Sequence, residues 1–221
     1  MPETVVLLHG LARTARSMLP MKRALESAGY EVINIGYPST RHPIEELSRR
    51  AITALVRSLE GRKPSRLHFV THSMGGILLR QHLHRHPLPN LGRVVMLAPP
   101  NQGSEVVDRL GGLRLFHWIN GPAGQQLGTD ETSLPRRLGP VNFELGVIIG
   151  NRSFNPLLSR LIPGANDGKV SLDSARVEGM RDYLVLPATH TFIMRNPRAI
   201  HETIQFLRHG RFSGSEAVAS A

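Results

Sequence analysis

One serine of the chain stands in a setting that could make its hydroxyl a nucleophile. The apolar run Leu67 to Val70 leads into Thr71-His72-Ser73-Met74-Gly75-Gly76, and a helical pattern begins directly after it. A strand, a sharp turn and a helix in this order hold the central residue in a strained conformation with its side chain pointing outward. Ser73 is therefore the candidate nucleophile, because a hydroxyl held this way is open to a substrate and to a general base.

The turn departs at one position from the common Gly-x-Ser-x-Gly pattern. Thr71 stands where the first Gly is usual, so extra crowding must be absorbed there. Gly75 and Gly76 keep the other side of the turn open. The alternative interpretation is an ordinary serine in a strand-to-helix loop, and the strand and helix on either side favour the nucleophile.

Composition limits the classes of protein that remain. The chain has 221 residues, 40% of them hydrophobic, and its 27 Lys and Arg against 17 Asp and Glu give a net charge of +10. Such a chain can bury the core of one globular domain, and its apolar runs are too short to span a membrane. The absence of Cys excludes disulfides, thiolate metal sites and a Cys nucleophile. The first residues show no secretion signal, so we expect a cytoplasmic protein.

Strand and helix patterns alternate from the start of the chain. Six short apolar runs without clean alternation predict buried strands, at Val5–Leu8, Val32–Ile35, Leu67–Val70, Val94–Leu97, Leu145–Ile149 and Tyr183–Leu186. Helical patterns lie between or after them, at Ser17–Ala28, Ile44–Leu59, Met74–Arg85 and Pro197–Leu207. This order predicts an α/β fold with about six strands in a mostly parallel sheet and helices on both faces. Ligands of such sheets bind beyond the carboxyl ends of the strands.

The strand with His72-Ser73-Met74-Gly75-Gly76, the early His9-Gly10-Leu11 and the later Asn166-Asp167-Gly168 resemble the α/β-hydrolase superfamily. Bacterial lipases and esterases are nearest within it, and the resemblance runs from Val5 to about Leu207. It implies an α/β-hydrolase fold. Full members have strands before the His-Gly turn, and here the strand before that turn begins at residue 5. The resemblance therefore implies a trimmed, lipase-like form that lacks the leading strands.

The resemblance also implies the order of a catalytic triad, which is Ser, then an acid, then His. Asp167 follows the strand Leu145 to Ile149 and lies in a Gly-flanked turn, and His190 follows the strand Tyr183 to Leu186. We predict Asp167 as the acid and His190 as the general base of Ser73. An imidazole must remove the serine proton, and a carboxylate orients the imidazole and stabilises its charged form.

Other acids and histidines compete for these roles. Asp173 and Asp182 lie near Asp167 in the sequence, and Asp173 is the main rival as the acid. The histidines His82, His84 and His86 could suggest a metal site, but their alternate spacing spreads them over different faces of a helix. We predict no metal and no cofactor.

The resemblance further implies two backbone N–H groups that stabilise the oxyanion of acyl transfer. One belongs to Met74, which follows the nucleophile, and the other to Leu11, which follows His9-Gly10. We interpret His9 and His72 as structural residues that shape these loops.

An insertion and a tail interrupt the alternation of elements. We predict an α/β-hydrolase domain at residues 1–209, with a lid-like insertion at about 104–140 and a flexible C-terminal tail at 210–221. In the insertion, Leu113, Phe116 and Trp118 are predicted to bind substrate as part of an apolar acyl-binding wall. An ordinary surface helix is the alternative for this stretch.

These features together predict a serine carboxylic-ester hydrolase that acts on hydrophobic acyl esters through an acyl-enzyme. A thioesterase or an acyltransferase would use the same triad, and both stay open. The rival class is a non-catalytic basic protein that binds anionic surfaces or nucleic acid. The basic residues are scattered in ones and twos without interleaved aromatics, which argues against nucleic acid, whereas transient contact with an anionic lipid surface is compatible with the charge. The sequence does not indicate an oligomeric state.

Overall fold

Six parallel strands form a single sheet at the centre of the chain. The structure is a computed structural model that describes residues 3–59, 61–62, 64–155 and 159–214. The strands are β1 (Thr4–Leu8), β2 (Glu31–Ile35), β3 (Leu67–His72), β4 (Leu91–Leu97), β5 (Leu145–Arg152) and β6 (Asp182–Thr189). Their order in the sheet is β2-β1-β3-β4-β5-β6, and every neighbouring pair is parallel. The predicted α/β-hydrolase fold with a six-stranded parallel sheet is confirmed.

The strand order places a topological switch point next to the candidate nucleophile. The chain moves outward from β1 to β2 and then returns to the other side of β1 to form β3. At such a point the chain leaves two neighbouring strands in opposite directions, and the two loops separate. A crevice therefore opens between these loops at the carboxyl ends of the strands. The loops after β1 and β3 therefore meet where His9-Gly10-Leu11 and Ser73 stand.

Helices cover the two faces of this sheet. The longer ones are α1 (Leu19–Ser27), α2 (Ile44–Ser58), α3 (Met74–Arg85) and, after β6, α7 (Pro197–His209). Helix α2 packs against α3 on one face, and α1 packs against α7 on the other. None of the helices in the described ranges has the length and apolar character of a membrane span.

The end of the packed domain lies beyond the predicted boundary at residue 209. Gly210 ends α7 in the left-handed region, at φ 72°. The following Phe212 is only 3% exposed, packs on Phe206 at 5.0 Å between ring centroids, and donates its amide to Asp182 Oδ2 at 2.7 Å. The first part of the predicted tail is thus packed on the domain, because Phe212 supplies an apolar anchor. Residues 215–221 of that tail lie outside the described residues.

Three helices make up the predicted insertion between β4 and β5. They are α4 (Glu105–Leu110), α5 (Arg114–Gln125) and the short α6 (Leu134–Arg137). Helix α5 is interrupted at Gly121, which has φ 61°, and a Cβ there would lie 1.7 Å from the Thr40 carbonyl oxygen. Only Gly permits this contact with the segment before α2.

A buried arginine of α3 holds both ends of the insertion. Arg80 donates to the carbonyl oxygen of Asn101 at 3.0 Å, where the insertion begins, and to that of Gly139 at 2.6 Å, where it ends. Burial lowers the pKa of Arg80 to about 10. The helix that follows the nucleophile is therefore tied directly to the base of the insertion.

Candidate active site

Ser73 occupies a sharp turn between β3 and α3. Its backbone has φ 52° and ψ −124°, a strained conformation for a residue with a side chain. The Ser73 amide donates to the Leu97 carbonyl oxygen at 2.8 Å, which ties the turn to the end of the neighbouring β4. The structure thus holds Ser73 in the geometry that the strand, turn and helix pattern predicts.

Close backbone contacts explain the glycines around the turn. A Cβ on Gly75 would lie 2.6 Å from the Leu8 carbonyl oxygen, and one on Gly10 would lie 3.1 Å from Ser73 Cβ. The crowding expected at Thr71 is absorbed by Gly76, since a Cβ at Gly76 would approach Thr71 Oγ1 to 3.2 Å. The departure from the common pattern therefore needs no displacement of the serine.

His190 and Asp167 lie next to Ser73 in the folded chain. His190 Nε2 is 3.0 Å from Ser73 Oγ, and His190 Nδ1 is 2.8 Å from Asp167 Oδ2. In the neutral imidazole, Nδ1–H donates to the carboxylate and Nε2 accepts from the serine hydroxyl, which is the tautomer a general base needs. His190 follows the end of β6, and its amide donates to the Asp167 carbonyl oxygen at 3.1 Å.

The other oxygen of the Asp167 carboxylate is held by its own turn. Asp167 Oδ1 accepts from the amides of Lys169 at 3.0 Å and Val170 at 2.9 Å, and the residue is 2% exposed. Two amide donors and the imidazole N–H satisfy this buried carboxylate.

The rival acids lie elsewhere. Asp173 is exposed, and Asp182 accepts the amides of Tyr183 and Phe212. Of the three carboxylates that sequence analysis considers, only Asp167 contacts His190.

The two predicted oxyanion donors lie beside Ser73. Leu11 lines the same cavity as Ser73, and Met74 is the first residue of α3, whose N–H has no partner within the helix. Neither amide donates to another group in the part of the chain that the structure describes.

A cavity of about 280 Å³ opens onto Ser73 and His190. Its apolar wall comes largely from the insertion, through Val106, Val107, Leu110, Phe116, Ile119 and Leu127. Of the three residues predicted to bind substrate, Phe116 lines this cavity. Leu113 and Trp118 do not, and they are 55% and 83% exposed. Phe116 and Ile119 are three residues apart and share one face of α5, whereas Trp118 points from another face. Leu113 precedes the helix and has an extended backbone, so it does not continue the face of Phe116.

Comparisons with known proteins identify the family and the fold of the chain. The model of the alpha/beta hydrolase family matches residues 5–214. The chain belongs to this family. No curated protein matches the chain.

Solved structures show the same fold at low sequence identity. The chain is similar to the mature Bacillus licheniformis lipase BlEst2, with 19% identity, a TM-score of 0.70 and coverage of 93% of this chain and 92% of that one. It is also similar to the phospholipase PlaB of Legionella pneumophila, with 16% identity, a TM-score of 0.71 and coverage of 87% and 55%. It is similar as well to lipase B of Aspergillus fumigatus, with 16% identity, a TM-score of 0.70 and coverage of 94% of this chain and 53% of that one. The chain thus spans about half the length of the last two proteins.

Two buried histidines of this hydrolase-family chain have structural contacts. His9 stacks on Tyr37 at 4.0 Å between ring centroids, and its Nε2 accepts the Tyr37 amide at 3.3 Å. His72 Nε2 donates to the His190 carbonyl oxygen at 3.0 Å. Desolvation lowers the pKa of His9, and desolvation followed by repulsion from His190 holds the pKa of His72 well below its usual range. The contacts of both histidines position the two loops.

Two of the three histidines that the sequence places together, His82, His84 and His86, lie near each other on α3. His82 and His86 lie one helical turn apart, with ring centroids separated by 5.3 Å. Within the described residues, no group of three or more His, Cys, Asp or Glu side chains is arranged to hold a metal ion.

Sequence analysis missed part of the cavity wall. Val106 and Val107 form an apolar pair in the insertion, and that pairing could have indicated them. Arg13 and Lys169 also line the cavity, and each lies two residues after a predicted site residue, Leu11 and Asp167. Proximity in sequence to the triad and the oxyanion loop was the signal for these two cations.

Proposed function

We propose that the chain is a serine carboxylic-ester hydrolase that works through an acyl-enzyme. The observation that carries the proposal is the continuous set of contacts from Ser73 Oγ to His190 Nε2, at 3.0 Å, and from His190 Nδ1 to Asp167 Oδ2, at 2.8 Å. Lipases and a phospholipase among the structures of similar fold support the same class of reaction.

In the first half of the proposed reaction, Ser73 Oγ attacks the carbonyl carbon of the ester while His190 Nε2 takes the hydroxyl proton. The Leu11 and Met74 amides stabilise the negative charge on the former carbonyl oxygen, and Asp167 stabilises the imidazolium. His190 then donates its proton to the departing alcohol oxygen, which leaves an acyl group on Ser73.

In the second half, a water molecule attacks the acyl-enzyme. His190 takes one proton from that water and returns it to Ser73 Oγ as the carbon–oxygen bond breaks, and the carboxylic acid is released. The same three side chains thus serve both halves, with the acid and base roles of His190 exchanged.

Covalent labelling tests the nucleophile directly. A fluorophosphonate reacts only with an activated serine, so we expect one probe per chain on the unmodified protein and none on Ser73→Ala. The control is Ser58→Ala, which removes an exposed hydroxyl at the end of α2 and is expected to leave labelling intact. Intact mass spectrometry gives the stoichiometry, and a folded, unmodified protein that fails to label would contradict the proposal.

The apolar cavity wall supports hydrophobic acyl groups as substrates. We expect kcat/KM for para-nitrophenyl esters to rise from acetate to hexanoate, because each buried methylene contributes about 0.8 kcal/mol. Phe116→Ala removes part of the wall and is expected to reduce the rise in kcat/KM from acetate to hexanoate by about tenfold. Trp118→Ala is the matched control, since Trp118 is 83% exposed and does not line the cavity. An equal loss of chain-length dependence in both variants would exclude the acyl-wall assignment.

One further proposal rests on composition. The net charge of +10 supports transient contact with anionic lipid surfaces. The scattered distribution of the basic residues still argues against a nucleic-acid partner.

A further inference from the structure

Two cationic side chains line the cavity that holds Ser73. Arg13 belongs to the loop after β1, two residues beyond Leu11, and Lys169 belongs to the acid turn, two residues beyond Asp167. The cavity therefore combines an apolar wall from the insertion with positive charge from the two loops that carry the reacting groups.

Neither cation has a carboxylate partner. Within the described ranges, Arg13 and Lys169 form no ion pair. Asp167, whose charge acts on Lys169, already accepts from His190 and from two backbone amides. The charge of the two cations is thus left for another group to balance.

The backbone around Lys169 is held on both sides. Its amide donates to Asp167 Oδ1 at 3.0 Å, and its carbonyl oxygen accepts from Ser104 Oγ at 2.8 Å. Lys169 is exposed by its surface area, yet desolvation and then the charge of Arg13 lower its pKa, while the charge of Asp167 opposes this shift. The positive charges of Arg13 and Lys169 repel each other, and an anion bound between them would offset this repulsion.

We infer that the substrate is an amphiphilic ester with an anionic group, which Arg13 and Lys169 bind while the apolar part of the substrate contacts the insertion. This inference rests on the proposed ester hydrolysis and names its substrate class. A carboxylate, phosphate or sulfate has the required charge, and both cations donate hydrogen bonds that such oxygens accept. The anion can belong to the acyl part or to the alcohol part of the ester.

Two pairs of esters separate these sources. On the acyl side, the para-nitrophenyl monoester of adipic acid is compared with that of its neutral monoamide. On the alcohol side, the hexanoyl ester of a hydroxynitrobenzoate is compared with that of the corresponding neutral benzamide. Within each pair the shapes match and only the charge differs, so the ratio of kcat/KM values reports recognition of the anion.

We expect one pair to show a preference of about tenfold for the anionic ester at low ionic strength, as for a charge-assisted hydrogen bond, and the preference to fall as salt is added. Arg13→Gln and Lys169→Gln should bring that ratio close to one. Arg16→Gln is the matched control, because Arg16 is an exposed arginine on the same segment that does not line the cavity. The inference would be overturned if the unmodified protein hydrolysed the anionic and neutral esters with equal kcat/KM. It would also be overturned if Arg16→Gln lost as much of the preference for the anionic ester as Arg13→Gln and Lys169→Gln.

The ratio also separates recognition from a general electrostatic effect. If the cations only stabilised the oxyanion, their removal would slow the neutral and anionic esters equally and leave the ratio unchanged, which would overturn the inference as well.

A binding measurement keeps this inference separate from the proposed reaction. The Ser73→Ala protein is titrated calorimetrically with octanoate and with octanamide, which differ in charge and need no turnover. We expect octanoate to bind about tenfold more tightly, and the difference to disappear when Lys169→Gln is added. Failure of probe labelling with this preference intact would reject the ester hydrolase alone, whereas labelling without any preference for anions would reject only the anionic substrate.

Discussion

His190→Gln is expected to lower kcat for ester hydrolysis by about 10⁵-fold, because among the described residues His190 is the one that places a ring nitrogen within hydrogen-bonding distance of Ser73 Oγ. His190 Nε2 lies 3.0 Å from Ser73 Oγ, and the second histidine of the site, His72, uses its Nε2 to donate to the His190 carbonyl oxygen. Gln is polar and of similar size, so the fold should be retained. The measurement is kcat on para-nitrophenyl hexanoate, with circular dichroism as the check of folding.

His201→Gln is the matched control for this variant. His201 is exposed on α7, so the same change of residue type there should leave kcat within about twofold. A His190→Gln enzyme that kept more than a hundredth of the activity, as an order-of-magnitude limit, would remove His190 from the role of general base. The rate of fluorophosphonate labelling should fall with kcat, since both depend on the same activated hydroxyl.

Asp167→Asn is expected to lower kcat by about 10⁴-fold with little change in stability. The Asn side chain can keep its oxygen toward the Lys169 and Val170 amides, which now donate to Asp167 Oδ1 at 3.0 and 2.9 Å. Its NH₂ group would then face His190 Nδ1, and this contact favours the tautomer with the proton on Nε2. In that tautomer Nε2 donates to Ser73 and cannot remove its proton.

Asp173→Asn distinguishes this role from the rival acid of the sequence analysis. Asp173 is exposed, and its loss should leave kcat essentially unchanged. Comparable rate losses in the two Asn variants, or a larger loss in Asp173→Asn, would contradict the assignment of Asp167. Thermal unfolding of both variants shows whether a loss of rate reflects a loss of fold.

Much of the fold and the central geometry of the site follow from local sequence patterns. Buried parallel strands are short apolar runs, so the first five strands could be recognised within a few residues. The sixth, β6, lies at the edge of the sheet and alternates between buried and exposed positions, because only one of its faces is covered. The string around Ser73 indicates a turn for a local steric reason, since Gly75 must pass within van der Waals distance of the Leu8 carbonyl.

The wall of the cavity depends on tertiary packing. Helix α5 carries apolar residues on more than one face, so its sequence does not indicate which face turns toward the cavity. The orientation of α5 is fixed by the contact of Gly121 with Thr40 and by Arg80, which binds both ends of the insertion. Phe116 therefore lines the cavity while the more conspicuous Trp118 is exposed.

By itself, the sequence determined the α/β class and the nucleophile turn, because both depend on residues that are neighbours in the chain. The order of Ser73, Asp167 and His190 was a prediction from the family resemblance. The packed end at Phe212, the inward face of α5 and the meeting of Arg13 with Lys169 were decided only by the tertiary structure. Arg13 and Lys169 are separated by most of the chain, and they reach one cavity because their loops follow β1 and β5, and the loops after the strands of a parallel sheet gather at one edge.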